Sequence, residues 1–189
     1  MSEAFKEKSF EELYAELCAL PNNLVGEIFN GELIASPRPS FKHARASSIL
    51  GALISGPYDL GNGGPGGWCI LDEPQLDLPK KVLVPDIAGW KKDRLPNPSE
   101  LKVFEISPDW VCEILSPSTA RNDRVAKFKI YADHKVPHYW IVDPLNKTLE
   151  IFQLEGSHYT PILGFGGDEK VTAPPFEDFE FNLGNLWAD

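Results

Sequence analysis

The sequence predicts a protein of the α/β (α+β) class, in which helices flank one mixed β-sheet. Three observations support this class. Segments with helical periodicity alternate with short apolar runs that are typical of strands. Asn30-Gly31 lies between two apolar runs, which is a strong signal for a β-hairpin near the N-terminus. Later in the chain a strand, a helix and a second strand follow one another, and this order is typical of a right-handed crossover between parallel strands.

The first elements are an N-terminal helix and the hairpin. Ser9 and Glu12 have the spacing of a capping box, and apolar residues recur at helical spacing from Phe10 to Leu20. The hairpin runs from Val25 to Ala35, and its Asn-Gly turn suits the positive φ angles of a type I′ turn.

The middle of the chain predicts a helix, a loop and three strands. The helix extends from about Phe41 to Ile54, and residues 56–67, with six Gly and two Pro, predict a flexible loop. The strand-like runs are Trp68–Leu78, Val82–Trp90 and Trp110–Ser116, with a polar surface loop at 91–109.

The last third contains the crossover. A helix at about Ala120–His134 connects the third strand-like run to a strand at His138–Val142, and we expect these two strands to be parallel. Short strands follow at Leu149–Leu154 and Tyr159–Leu163. The tail, Pro174–Trp187, should pack back on the protein.

Length and composition limit the classes of protein. A chain of 189 residues suits a single domain, which we expect over residues 1–189. With 28 Asp and Glu against 18 Lys and Arg, the formal net charge is −10. This acidity argues against non-specific coating of nucleic acid or anionic membrane, but it leaves room for a local basic groove. The sequence has no signal-peptide pattern, no apolar stretch of membrane-spanning length and no paired cysteines, so we expect a cytoplasmic protein with reduced thiols.

Two carboxylates stand inside apolar strand-like runs. Asp86 lies in Val-Leu-Val-Pro-Asp-Ile-Ala-Gly-Trp, and Glu113 lies in Trp-Val-Cys-Glu-Ile-Leu-Ser. A buried carboxylate is costly unless it is paired, hydrogen-bonded or bound to metal, although an acid at a strand end that points to water explains either residue alone equally well. Two such acids on neighbouring strands favour a metal site, and their hard oxygen ligands suit Mg²⁺ or Mn²⁺.

Lys127 lies on the helix that follows the Glu113 strand, fourteen residues further along the chain. From there its ammonium could reach back over the end of the strand, position a water and stabilise charge on a phosphoryl group. Periodicity alone favours a solvated Lys127 on the outer face of the helix, like Lys129, because lysine prefers the surface.

The order and spacing of several short segments are specific. They are Val84-Pro85-Asp86, the stretch from Pro108 to Thr119, Asp123, Lys127, Tyr131 and the stretch from Val136 to Pro144. Together with Glu27, the Asn-Gly hairpin, His43, the Trp68–Leu78 run and the Pro-Pro-Phe tail, they cover nearly the whole chain. This pattern resembles the Uma-two-type restriction endonuclease family, a branch of the PD-(D/E)XK nuclease superfamily.

The resemblance implies a restriction-endonuclease-like fold and Mg²⁺-dependent (or Mn²⁺-dependent) hydrolysis of DNA phosphodiester bonds. It implies that Asp86 and Glu113 are catalytic metal ligands. The superfamily pattern expects a lysine two residues after the second acid, where this chain has Leu115. Lys127 matches a lysine displaced to the following helix, and the resemblance therefore implies a catalytic role for it.

Glu27 and His43 match family positions near the site and are candidates for additional active-site residues. A solvated strand position explains Glu27 equally well, and a hydrogen bond that fixes the second helix against the hairpin explains His43. Lys135 and His138 stand where the family usually has Gly and Glu, and we interpret them as changes in a turn and its rim.

Three functions therefore stay open for the sequence. The first is an endonuclease acting on DNA, without membrane association and as a homodimer, which the aromatic pair Tyr139-Trp140 or an apolar strand edge could support. The second is a non-catalytic binding or assembly protein on the same fold, which the acidity favours. The third is a hydrolase of another phosphate ester. If the first is right, the basic residues near the second helix and on the crossover helix should line one cleft; they are Arg38, Lys42, Arg45, Arg121, Arg124, Lys127 and Lys129.

Overall fold

The computed structural model describes residues 8–95 and 105–187. Within these ranges the helices are α1 (Phe10–Cys18), α2 (Phe41–Tyr58) and α3 (Phe128–Asp133), and a π-helical segment (Asn122–Lys127) runs directly into α3. The strands are β1 (Leu24–Phe29), β2 (Glu32–Pro37), β3 (Trp68–Asp72), β4 (Leu76–Leu78), β5 (Lys81–Leu83), β6 (Ile87–Lys91), β7 (Trp110–Ile114), β8 (His138–Asp143), β9 (Thr148–Glu155), β10 (His158–Gly166), β11 (Lys170–Val171) and β12 (Phe181–Asn182).

Local sequence signals define the first elements, as predicted. The Ser9 hydroxyl accepts the Glu12 N–H at 3.2 Å, and the Glu12 carboxylate accepts the Ser9 N–H at 2.7 Å, which completes the capping box. Strands β1 and β2 form the hairpin, and Asn30 and Gly31 both have positive φ, at 53° and 77°. The sequence therefore specifies both the start of α1 and the register of the hairpin.

The strands form two main sheets, whereas the sequence analysis predicts one. A six-stranded mixed sheet has the order β10-β9-β8-β7-β6-β3, and a four-stranded antiparallel sheet has the order β2-β1-β5-β4. Strands β7 and β8 are parallel, which confirms the predicted crossover. A small third sheet pairs β11 with β12.

The two sheets arise because two predicted strands are each divided. The run Trp68–Leu78 divides at Glu73-Pro74, where Glu73 has a φ of 45°, and the run Val82–Trp90 divides at Pro85. Proline has no N–H to donate to a strand ladder, so the chain leaves one sheet and enters the other at these points. Asp86 consequently lies at the junction between the sheets.

The predicted helices form, with two differences. Helix α2 extends to Tyr58, beyond the predicted end at Ile54, because the buried Tyr58 hydroxyl accepts the backbone N–H of Asp178 and joins the helix end to the tail. The crossover helix begins with a π-helical segment that the sequence analysis does not predict. Residues 96–104 of the predicted surface loop lie outside the described residues.

The tail covers one face of the six-stranded sheet, as expected. The ring of Phe176 lies 4.6 to 5.6 Å from the rings of Tyr58, Trp68, Trp110 and Trp140. The Trp140 indole N–H also donates to the Pro174 carbonyl at 2.8 Å. The opposite face of this sheet packs against α3 through Tyr131 and other aromatic residues.

Tyr139 and Trp140 are both fully buried. The expectation that this pair could support a homodimer surface is therefore wrong, because a side chain inside the core of one chain has no surface to offer a second chain.

No helix within the described ranges is long and apolar enough to cross a membrane.

Replacement of Phe176 by alanine tests the anchoring of the tail. Because Phe176 is 1% exposed, we expect Phe176→Ala to lower the free energy of unfolding by about 3–5 kcal/mol in urea titrations. Phe41→Ala is the matched control, since Phe41 is 79% exposed and its loss should change stability by less than about 0.5 kcal/mol. Equal effects of the two substitutions would contradict the described packing.

Candidate functional site

A cavity of about 280 Å³ opens where the two sheets meet. Its wall includes residues from β1, β7, α2, the π-helical segment and the connection between β5 and β6. The charged and titratable side chains that line it include Glu27, His43, Asp86, Glu113, Asp123 and Lys127. The structure thus brings together all five candidate residues from the sequence analysis and adds Asp123.

Asp86 is fixed by two groups from different elements. Its Oδ2 atom accepts the backbone N–H of Ile114 at 2.6 Å, and its Oδ1 atom lies 3.2 Å from His43 Nε2. Burial alone would lower the pKa of His43, but the hydrogen bond to Asp86 and the charges of Asp86, Asp123 and Glu73 outweigh it and raise this pKa. His43 therefore contacts a candidate site residue directly, and it does more than join α2 to the hairpin.

Glu113 projects from β7 into the cavity, and its side chain is 2% exposed. Its Oε1 atom accepts a hydrogen bond from the Tyr131 hydroxyl at 2.7 Å and lies 3.2 Å from Lys127 Nζ. Burial raises the pKa of Glu113 well above its usual range, and the charge of Lys127 opposes this effect. The alternative of an acid that points to water does not hold for Glu113.

Lys127 is buried, although periodicity alone favours a solvated side chain. Its Nζ atom lies 2.9 Å from Glu27, 3.2 Å from Glu113 and 3.3 Å from Asp123. Burial would lower the pKa of Lys127, but these carboxylates raise it well above the usual range, so the side chain is a cation. The position agrees with the family match of Lys127 and not with the outer face that Lys129 occupies.

Glu27 is also buried, so the alternative of a solvated strand residue does not hold for it. Its Oε1 atom accepts the Val84 N–H at 2.8 Å and contacts Lys127. Val84 belongs to the Val-Pro-Asp segment that carries Asp86. Glu27 therefore links the four-stranded sheet to both the aspartate segment and the lysine.

Asp123 was not among the candidate site residues, although it belongs to the family pattern. It is 1% exposed, and its Oδ1 atom lies 3.3 Å from Lys127 Nζ. Burial raises the pKa of Asp123, while Lys127 and a hydrogen bond with Thr119 oppose the rise. The spacing of four residues from Lys127 indicates only that the two residues share a helix face, and the family pattern is the signal that points to Asp123.

The cavity suits a small divalent cation. When all are ionised, the five carboxylates that line the cavity outnumber Arg38, Lys127 and a protonated His43 by two charges, which is the charge that a divalent ion supplies. No three His, Cys, Asp or Glu side chains in the described ranges are arranged to hold a metal ion by themselves. The cavity does contain the carboxylate oxygens of Asp86 and Glu113, which are hard donors of the kind that Mg²⁺ takes together with several waters.

The basic residues do not gather in one cleft, and that expectation is wrong. Of the seven, only Arg38 and Lys127 line the cavity. Arg124 pairs with Glu150 at 2.7 Å and Lys129 with Asp133 at 2.8 Å, both on the surface. The remaining three, Lys42, Arg45 and Arg121, are exposed and lie outside the lining. His138 does not line the cavity either, and burial lowers its pKa.

Comparison with known proteins places these features in a family. The model of a family described as "Uma2: Putative restriction endonuclease" matches residues 10–184, which confirms the resemblance. Among solved structures, the chain is similar to a putative nuclease belonging to DUF820 from Anabaena variabilis ATCC 29413. The TM-score is 0.73 at 21% identity, over 95% of this chain and 97% of that chain, so the likeness shows a shared fold. No curated protein matches the chain.

Removal of the buried ammonium should destabilise the protein. Lys127→Met leaves three buried carboxylates without their counter-charge, and we expect a loss of about 3–5 kcal/mol in the free energy of unfolding near pH 7. The raised pKa of Lys127 means that its stabilising effect is complete at this pH and is lost only as the pH rises through that pKa.

The loss should shrink as the pH falls towards about 5, because Glu113 and Asp123 have raised pKa values and take up protons first. Urea titrations at several pH values measure it. Lys129→Met is the control, since its exposed pair with Asp133 is worth little. A loss for Lys127→Met that stays constant across this pH range would show that the carboxylates are not coupled to the ammonium.

Proposed function

The chain belongs to the Uma2 family of putative restriction endonucleases, and on this basis we propose that it is a Mg²⁺-dependent endonuclease that hydrolyses DNA phosphodiester bonds. One observation supports the proposal most: Asp86, Glu113 and Lys127 come from three separate segments and meet in one cavity. A cation and two acids in a cleft are the groups that phosphodiester hydrolysis needs.

Asp86 and Glu113, with a main-chain carbonyl beside Glu113, would hold Mg²⁺, and Mn²⁺ should substitute for it. When bound, the ion supplies positive charge beside the phosphate and lowers the pKa of water. Lys127 donates hydrogen bonds to the attacking water and offsets charge that develops on the phosphate oxygens. Tyr131 holds the Glu113 carboxylate through its 2.7 Å hydrogen bond, and His43 holds Asp86.

Glu27 supports this arrangement from the neighbouring sheet. It fixes the segment before Asp86 through the Val84 N–H and holds Lys127 at 2.9 Å. Family membership implies a nucleic acid substrate, and we propose DNA. We further propose a single-domain, cytoplasmic protein that acts as a homodimer, because cleavage of both strands of a duplex needs two active sites.

A non-catalytic binding or assembly protein is the second candidate. The scattered basic residues favour it, since only Arg38 and Lys127 line the cavity and Arg38 is paired with Glu73 at 3.2 Å. A third candidate is a hydrolase of another phosphate ester, because the cavity itself is small enough for such a substrate.

A comparison of substrates tests the activity. With Mg²⁺ present, we expect cleavage of DNA in preference to RNA and small phosphodiesters, and no cleavage by Asp86→Ala or Glu113→Ala, because each variant lacks a carboxylate for the ion. Circular dichroism should show that both variants remain folded. Asp93→Ala removes an exposed carboxylate outside the cavity and should keep full activity. Cleavage that survives in either site variant would rule out the assigned site, and preferential cleavage of small esters would favour the third candidate.

Metal titration separates the nuclease from the binding protein. We expect the chain to bind Mn²⁺. We expect Asp86→Ala or Glu113→Ala to weaken this binding at least about tenfold, because each variant lacks one of the two charged carboxylate ligands. Isothermal titration calorimetry measures this affinity without substrate. If wild-type protein binds no Mn²⁺ or Mg²⁺, or if both variants bind as well as wild type, the second candidate gains support.

A further inference from the structure

Asp123 lies in the cavity but has no role in the mechanism above. It is 1% exposed and belongs to the π-helical segment Asn122–Lys127. Its Oδ1 atom is 3.3 Å from Lys127 Nζ, and no group of the described residues donates it a well-aligned hydrogen bond. A buried carboxylate oxygen in this state needs an explanation, because burial without a partner is costly.

The ammonium of Lys127 faces three carboxylates. Those of Glu27, Glu113 and Asp123 lie within 3.3 Å of Nζ, and the contact with Glu113 is a hydrogen bond. A water or a phosphate oxygen that accepts a hydrogen bond from Lys127 has to compete with these carboxylates.

The three contacts differ in what happens when Lys127 leaves. Glu27 Oε1 still accepts the Val84 N–H at 2.8 Å, and Glu113 Oε1 still accepts the Tyr131 hydroxyl at 2.7 Å. Asp123 Oδ1 has no comparable second donor, although the Thr119 side chain hydrogen-bonds the carboxylate. Release of Glu113 or Glu27 therefore leaves each contact oxygen with another donor, whereas release of Asp123 leaves its buried Oδ1 atom without one.

We propose that Asp123 is the positioning residue of Lys127. It would keep the ammonium in the cavity if Glu113 bound a divalent cation, so that Lys127 could then donate to the substrate. The catalytic meaning of this inference rests on the proposed function, but the dependence of Lys127 on Asp123 does not.

The crossover helix contains an internal comparison. Asp123–Lys127 and Lys129–Asp133 are both ion pairs with a spacing of four residues. The side chains of the second pair are 78% and 53% exposed, whereas those of the first are 5% and 2% exposed. The π-helical segment carries only the buried pair, and π-helical turns occur frequently at functional sites. This contrast indicates that Asp123 keeps the Lys127 side chain in one particular position and does not only stabilise the helix.

The experiment compares Asp123→Asn with the matched control Asp133→Asn in the full chain. Wild type and variants are treated with an amine-acetylating reagent, with and without Mn²⁺, and acetylation of each lysine is followed by mass spectrometry. We expect Asp123→Asn to raise the acetylation rate of Lys127 about tenfold in Mn²⁺, the effect of losing one charge-assisted contact. Asp133→Asn should leave Lys127 protected. Should Asp123→Asn fail to fold, Asp123→Ser gives the same comparison without added volume.

Calorimetry with Mn²⁺ distinguishes positioning from metal binding. We expect Asp123→Asn to change Mn²⁺ affinity by less than about twofold, and in a cleavage assay to lower kcat with little change in KM. An unchanged Lys127 rate, or a fall of more than about tenfold in Mn²⁺ affinity, would overturn the proposal. If the wild type cleaves no substrate, the proposed function fails, while the acetylation rates still decide whether Asp123 positions Lys127.

Discussion

The buried ammonium of Lys127 is the interaction on which the candidate site depends. It brings together Glu27 from the four-stranded sheet, Glu113 from the six-stranded sheet and Asp123 from its own helix. Without this cation, three buried carboxylates would lie close together with no positive charge among them. A buried ion cluster is weak evidence for a stabilising role, because apolar residues of similar volume in its place often give a fold of equal stability. A cleft that contains titratable groups with displaced pKa values is instead typical of a functional site.

The position of Asp86 follows from the way in which the chain passes between the sheets. The backbone leaves the four-stranded sheet after β5 and enters the six-stranded sheet at β6, and Pro85 marks the change. Glu27 holds this connection on one side through the Val84 N–H, and the Ile114 N–H holds Asp86 on the other. The segment is therefore fixed at both ends by residues distant in sequence. A site built at such a junction draws its groups from both sheets.

The sequence predicts those parts of the fold that local signals control. The capping box at Ser9, the Asn-Gly hairpin and the crossover depend on residues that are near one another in the chain, and the structure confirms each. The structure has two main sheets where the sequence predicts one. Periodicity predicts that a run forms a strand, but it does not predict which other strand it pairs with. Burial of Lys127 could not be predicted from periodicity, since its partners Glu27 and Glu113 come from distant strands. Only the family pattern indicated it.

Asp123 shows a different limit. Its spacing from Lys127 was visible, but the same spacing joins Lys129 and Asp133 on the surface, so spacing alone cannot separate a buried pair from an exposed one. The basic residues show the converse. The nuclease hypothesis predicts them in one cleft, where they would contact phosphate, yet the crossover helix presents Arg124 and Lys129 to surface acids. The direction in which each side chain points from a helix depends on how the helix packs, and this direction cannot be predicted from composition.

The negative charge of the cavity has a consequence for the order of binding. A phosphate group would enter a space that already contains an excess of carboxylates, with Lys127 fully engaged and Arg38 paired to Glu73. In the proposed function, a divalent cation would offset that excess. Binding of the cation and binding of the phosphate would then favour one another, and by linkage the effect would be equal in both directions. For the proposed nuclease, the net charge of −10 would then limit binding to nucleic acid mainly when the cation is absent.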